Sequence, residues 1–333
     1  MMQRPPYVSV IDPVGPAFER VKTVLFRPFD LGRWFVIGFG AWLARLGTAG
    51  SGGGGGAGGG AGVPGPPGGI SWEASDIPDQ VRHGLGQAWE FILHNLDWLI
   101  PVIVVGLGII IGLWLLVIWL SSRGRFMFLY CVAQNRAEVV HPWHYFRRHG
   151  NSLFGFRLAV GLITFATALV FLALIGFLVF LATTRVGFNY FTIAGIACCS
   201  LLFLATTIVS GVVMKFTHDF ALPIMYLHTP SSLAAWHVLL DILAFNKARF
   251  FLYLLFQIVI YLVKGMILVA AACLTCGCGC CLMLIPYIGT VALLPIFVFQ
   301  RAYSLYYLAQ YGPQFNAFPA PPAGTAPPPV PGA

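Results

Sequence analysis

"WLIPVIVVGLGIIIGLWLLVIWL", residues 98–120, runs without one charged side chain. A helix rises 1.5 Å per residue, so about 20 such residues cross a ~30 Å hydrocarbon core. In lipid only a helix satisfies its backbone hydrogen bonds within one isolated segment. The stretch therefore reads as a transmembrane helix, and it has company. Similar apolar runs cover residues 154–183, 190–214, 250–272 and 282–308, with a shorter one at 34–46. The fold class this predicts is all-α: a polytopic membrane helical bundle of about six transmembrane helices.

Composition agrees. Charged residues make up 9% of the chain and apolar ones 58%, against ~25% and ~45–50% in soluble domains. Residues 1–312 read as one integral membrane domain with no soluble catalytic domain. Residues 50–69 hold thirteen glycines in twenty positions, too little apolar surface to offset the entropy of ordering. The 47–95 region is thus expected to be a flexible extracytoplasmic loop. The tail at 313–333 has eight prolines and no charge, which predicts a disordered, polyproline-type extension. The N-terminus lacks the apolar core and small-residue cleavage site of a signal peptide, so the first span is expected to act as an uncleaved insertion signal.

Basic residues in short loops set orientation. Arg4, Arg20, Lys22, Arg27 and Arg33 precede the first span, and Arg123, Arg125, Arg136, Arg147 and Arg148 lie between the second and third. Lys215, Lys247 and Arg249 follow the fourth, whereas the 47–97 segment has only Arg82 against five acids and the next has only Arg185. This bias predicts a cell (inner) membrane protein with both termini cytoplasmic. A re-entrant hairpin at 34–46 is the alternative, and it would place the N-terminal arginines outside, against the charge rule. The formal charge of +8 follows from the same bias, so the expected partners are membrane lipids with anionic headgroups on the cytoplasmic leaflet, not nucleic acid.

Three segments precede odd-numbered spans with the pattern of interfacial elbow helices, a basic face opposite a Trp/Phe/Leu face. The first covers residues 12–27, with Asp12 as N-cap and Pro13 at the first helical position; Val14, Phe18, Val21 and Leu25 share a face. The second is "HPWHYFRRH" at 141–149, and the third runs over 231–243 from Ser231 or Ser232, with Trp236, Leu239, Leu240 and Leu243 on one face. Each leads into two spans, suggesting three elbow-hairpin units. Arg20, Lys22, Arg147, Arg148, Trp143 and Trp236 are the expected lipid-headgroup contacts.

Lys264 is the one cation well inside a span. Its readings are snorkelling to the outer interface or a buried binding role. Asp219 in "KFTHDFALPIMY" (215–226) is the acidic candidate, with His218 beside it, although topology puts it at the opposite end of the membrane from Lys264. Pro223 leaves a helical carbonyl without its donor, so 218–223 reads either as a broken segment lining a polar pocket or as an interfacial turn. Asp219, His218, Pro223 and Lys264 form the binding-site hypothesis. Cys276, Cys278, Cys280 and Cys281 crowd into "CLTCGCGCC" (273–281). Their spacing differs from paired Cys-x2-Cys zinc sites, and small cysteines also pack between membrane helices, so the expectation is no metal. Cys198 and Cys199 lie toward the outer half of their span, which leaves a spatial cluster with them open, and the histidines 218, 228 and 237, in basic and aromatic surroundings, read as headgroup-level residues, not metal ligands. No catalytic elbow, zinc-protease or nucleotide motif is present, so no enzyme activity and no cofactor is expected.

"PFDLGRWFVIGFGAWLA" (28–44), "DFALPIMY" (219–226) and "IPYIGTVALLPIFVFQRAYSLYYLAQYGP" (285–313) together resemble an uncharacterised family of bacterial multi-pass membrane proteins. The shared order is a basic N-terminus, a Gly-rich loop, Asp-Phe-x-x-Pro, a Cys-rich stretch, Pro-Tyr-Ile-Gly and Arg-Ala-Tyr-Ser-Leu. More distantly, the elbow-and-hairpin organisation is similar to the membrane domain attached to some glycerophosphodiester phosphodiesterases, without their catalytic barrel. The resemblance implies architecture and no catalytic residues. The expected role is a non-enzymatic membrane scaffold or a part in envelope and lipid homeostasis; the alternative is a small transporter or channel built around Asp219, Pro223 and Lys264.

Overall fold

A computed structural model describes residues 8–46, 94, 96–187, 189–228, 231–274 and 286–318. Among these every regular element is helical. In chain order they are α1 (Val14–Val21), α2 (Leu31–Arg45), α3 (Leu96–Gln134), α4 (Val140–Tyr145), α5 (Arg147–Leu181), α6 (Tyr190–Phe216), α7 (Leu222–Leu227), α8 (Ser232–Phe245), α9 (Lys247–Leu274), α10 (Pro286–Ala292) and α11 (Leu294–Ala309). π-helical turns occupy Lys22–Phe26, Ala182–Val186 and Thr217–Ala221. The 47–93 stretch, Cys276, Cys278, Cys280, Cys281 and the tail beyond 318 lie outside the described residues.

Four helical stretches are long and apolar enough to cross a membrane: Ile100–Gln134, Arg147–Thr184, Tyr190–Leu227 and Lys247–Ala270. The runs expected as the first and last spans form shorter helices. α2 has 15 residues and α11 has 16, about 22 and 24 Å at 1.5 Å per residue. The 282–308 run is interrupted at Leu293, ahead of Pro295. Val291 then packs against Gly38 in the middle of α2, and Tyr287 donates to the Phe35 carbonyl at 2.9 Å.

The chain divides into two units, Gly56–Val117 and the remainder. The described part of the smaller one is the first half of α3, whose side chains from Ile100 to Leu116 are mostly exposed and apolar. The larger unit holds the core. α11 lies at its centre, with Val298, Ala302, Tyr303, Leu305, Tyr307 and Leu308 all fully buried. Phe220, Phe250, Tyr253, Tyr303 and Tyr307 form an aromatic cluster with centroid separations such as 4.7 Å for Tyr253–Tyr307 and 4.8 Å for Phe220–Tyr253, distances at which ring pairs add to simple burial. α2 runs antiparallel to the second half of α3: Arg33 donates to the Asn135 carbonyl and Ser121 to the Ala44 carbonyl, each at 2.9 Å. α5 and α6 form an antiparallel hairpin, marked by Thr164–Ser210 at 3.0 Å, Phe171–Phe203 and Leu178 against Gly195. Beyond Arg157 and before Lys215 that hairpin is largely exposed and apolar.

The order short helix, helix, helix occurs three times, led by α1, α4 and α8. Details differ from expectation. α1 starts at Val14, with Pro13 in the flanking position. Ser9 explains the shift: its hydroxyl accepts from the Ile11 and Asp12 amides at 3.2 and 3.3 Å, and the resulting turn, not Asp12, starts the helix. Phe18 is exposed while Ala17 is fully buried, because the α1 stripe Val14, Ala17, Val21 follows the spacing of a close contact with α11. Leu240 is likewise exposed and Ile242 takes its place inside. Residues 313–318, at the head of the proline-rich tail, pack on the core: Phe315 is buried beside His228, and Phe318 stacks on Tyr306 at 4.2 Å.

Candidate polar site between α6, α9 and α11

Pro223 neither breaks the chain nor leads a re-entrant loop. A proline at this position removes the hydrogen bond to the carbonyl four residues back, and the helix absorbs the loss by widening. Residues Thr217–Ala221 form a π turn in which the Leu222 amide reaches back five residues to the Thr217 carbonyl. Such single-turn π segments recur at functional sites. Here the turn places Asp219 in the protein interior, in contact with Lys215 of α6 and Tyr253 of α9.

Asp219 accepts from Lys215 Nζ at 2.8 Å, lies 3.0 Å from His218 Nδ1, and accepts from the Tyr253 hydroxyl at 3.0 Å. Its side chain is 7% exposed. Lys215 is one helical turn away, the i,i+4 neighbour. Its ammonium also donates to Tyr261 Oη at 3.0 Å and to Gln257 Oε1 at 3.3 Å, so all three ammonium hydrogens have acceptors. From the other side Arg301 Nη1 donates to the His218 carbonyl at 2.7 Å, while its Nε and Nη2 are buried with no partner among the described residues. The charges of Asp219, Arg301 and Arg157 all act on buried Arg125. Arg157 itself donates to Ser122 at 2.9 Å and Ser121 at 3.3 Å.

Lys264 is buried, 6% exposed, and does not reach Asp219. Its Nζ sits 5.2 Å from the Phe297 ring centre, which Arg45 approaches to 4.1 Å from its own side. The positive charges of Arg45 and Lys215 act on it. Lys215 therefore links Asp219, its ion-pair partner, to Lys264, on which its charge acts. A cavity of about 660 Å³ opens along this line between α6 and α9. Lys215, Gln257, Tyr261 and Lys264 form its polar part; Ile208, Val212, Leu254 and Ile258 are among its apolar walls.

Sequence reading singled out His218, Asp219, Pro223 and Lys264, and all four lie in or beside this cluster. It missed Lys215, Tyr253, Gln257, Tyr261, Arg125 and Arg301. Two signals were available: the i,i+4 Lys215–Asp219 pair, and Gln257, Tyr261 and Lys264 at i, i+4, i+7 on one face of α9. The tyrosine and the arginine contacts depend on packing between distant segments.

The expected headgroup residues occupy varied places. Arg147 and Arg148 are exposed at the start of α5. Trp143 meets Trp119 edge-on at 6.2 Å, with Arg123 over both rings. Trp236 donates to Thr217 Oγ1 at 3.2 Å and stacks on Phe156. Lys22 pairs with Glu19 at 2.7 Å in an exposed setting. Arg20 donates to the Val132 and Ala133 carbonyls at 3.0 and 2.6 Å, satisfying the last turn of α3 where a cation is favoured by the helix dipole. Burial there lowers its pKa from the usual value.

Among the described residues no group of three or more His, Cys, Asp or Glu could hold a metal. Cys131 is buried, and Cys198, Cys199 and Cys273 are free; the remaining four cysteines fall outside the described residues.

No curated protein and no solved structure matches the chain, and nothing links it to glycerophosphodiester phosphodiesterases. A family model does match, over residues 8–297. On that coverage the chain belongs to the family described as "Family of unknown function (DUF7544)".

Proposed function

We propose a non-enzymatic integral membrane protein that acts as a scaffold in lipid homeostasis of the bacterial inner membrane, with both termini cytoplasmic. The observation that carries this reading is the segregation of charge along the α5–α6 hairpin. From Tyr190 to Lys215 lie about 38 Å of helix, and from Arg157 to Leu181 about 36 Å, with no lysine or arginine between these cations and the hairpin's far end until Arg185. Either length covers a ~30 Å hydrocarbon core. Arg157 and Lys215 lie at one end of that apolar stretch and Arg185 at the other, as charges held at the two leaflets do. In this reading α1, α4 and α8 lie at headgroup depth on the leaflet of Arg157 and Lys215, and α2 and α11 supply the two crossings beyond the four long helices.

The lipid complement of the purified full chain tests it. Lipid that co-purifies should be enriched in anionic species over the bulk membrane, and Arg147→Glu with Arg148→Glu should reduce that enrichment. A co-purified composition equal to bulk would sink the reading. The buried Lys215–Asp219 pair beside a π turn favours a second reading, a small transporter, because intramembrane ion pairs commonly mark substrate or proton paths. A saturable flux in proteoliposomes, lost in Asp219→Asn, would establish it.

A further inference from the structure

The groove between α6 and α9 offers more donors than acceptors. A lysine ammonium only donates, so its contacts fix the orientation of its neighbours. Lys215 points at Gln257 Oε1 and Tyr261 Oη; the Gln257 amide NH₂ is therefore directed away from Lys215, and the Tyr261 hydroxyl hydrogen is left to donate elsewhere. Neither has an acceptor among the described residues. Lys264 lines the same groove and adds a positive charge. Past these groups the walls are apolar, and Ile208 and Ile258 are 57% and 63% exposed at its mouth. Gly211 and Gly265 keep the groove open, since a Cβ on either would meet nothing within 4 Å.

We infer that this groove binds one acidic phospholipid, its phosphate accepting hydrogen bonds from Gln257 and Tyr261 beside the positive charge of Lys264, and an acyl chain lying along Ile208, Val212, Leu254 and Ile258. The inference rests on the lipid-handling reading above and gives it a ligand class and a place. Donors around a second ammonium select an acceptor-rich anion, and charge-assisted hydrogen bonds are the strong ones. The apolar walls select a ligand that carries chains with that anion. A neutral diacylglycerol has ester and hydroxyl acceptors but no anion, and a free inorganic phosphate leaves the walls without a partner.

The test uses the full chain in detergent, titrated with phosphatidylglycerol or with diacylglycerol of the same chains, with bound lipid counted by native mass spectrometry. One phosphatidylglycerol per chain should be retained in preference to diacylglycerol. Tyr261→Phe keeps the ring and removes the donor, and should weaken retention about tenfold, the scale of one hydrogen bond to a charged group. Gly211→Leu puts an apolar side chain into the groove, where a Cβ meets nothing within 4 Å, and should weaken it similarly; circular dichroism and thermal midpoint report whether either variant remains folded. Equal retention of diacylglycerol, or folded variants that bind as the parent does, would overturn the site. Inorganic phosphate displacing the lipid at equal concentration would overturn the lipid as occupant and leave a small-anion site. If the groove variants bind normally while co-purified lipid is still rich in anionic species, the broader reading stands and only this groove is wrong.

Discussion

Asp219 is the residue on which the interior polar groups converge. Lys215, His218 and Tyr253 all contact its carboxylate, which is 7% exposed. Removing one member of a buried ion pair leaves the other charge without compensation, at a cost of about 3–5 kcal/mol, whereas replacing both with apolar groups of similar volume is often close to neutral. Asp219→Asn should therefore lower the thermal midpoint in detergent markedly, and Lys215→Met combined with Asp219→Leu should recover most of the loss. A double variant as unstable as the single one would show that Tyr253 and His218, not the Lys215 charge, account for Asp219's importance. The sequence marked Asp219 because acids are scarce in apolar runs. It grouped Asp219 with Lys264 in one binding-site hypothesis, although topology put the two at opposite ends of the membrane. The nearer partner was four residues away, but Lys215 had been read as part of a basic loop, and only burial of the π turn draws it inside.

At the scale of elements, close helix approach depends on particular glycines. A Cβ on Gly124 would come within 2.7 Å of the Ala44 amide nitrogen and 2.8 Å of the Leu43 carbonyl carbon. These are backbone atoms that cannot swing aside, so α2 and α3 cross there in near contact. Gly124→Ala should force the helices apart and cost about 1–3 kcal/mol, the range for overpacking a filled interior. Gly155→Ala, where a Cβ meets nothing within 4 Å, should be neutral or gain up to about 1 kcal/mol from helix propensity. Thermal unfolding of both in one detergent separates them, and equal effects would mean the α2–α3 crossing is not tight. Neither glycine differs from the other in the sequence. What distinguishes them is the segment lying opposite, which local pattern does not carry. Helix existence was legible throughout the long runs, while the division at Leu293 was not, because "ALLPIF" continues the apolar pattern across the break and Pro295 is tolerated at a helix start.

On the scale of the molecule, the charge bias and the apolar runs together predict which side each segment faces. Single cysteines placed in 50–69 should react with an impermeant thiol reagent in intact cells, and cysteines placed in 319–333 should react only after the membrane is opened. Labelling of both regions from outside, or of the tail alone, would overturn the arrangement with both termini in the cytoplasm. The larger unit also gathers segments far apart in the chain: Tyr303 donates to the Val10 carbonyl at 2.9 Å, and the Gln310 side chain bonds the Ser9 backbone through both its oxygen and its nitrogen at 2.8 and 2.9 Å. Such long-range contacts tie the N-terminal segment to α11.

The sequence by itself determined that the chain, over its described residues, is helical, with helices long and apolar enough to cross a membrane, because about twenty consecutive apolar residues leave the backbone no other way to bond in lipid. It also determined where cations cluster, since charge is read directly from composition. Only the tertiary structure decided that α11 is a buried central helix, that Pro223 is absorbed by a π turn, and that Lys215, Gln257, Tyr261 and Lys264 border one groove. The physical reason is that in a chain this apolar the hydrophobic pattern is nearly uniform around each helix. Hydropathy then cannot tell a lipid-facing side from a protein-facing one, and the choice falls to glycine contacts, aromatic packing and a few buried hydrogen bonds between segments distant in sequence.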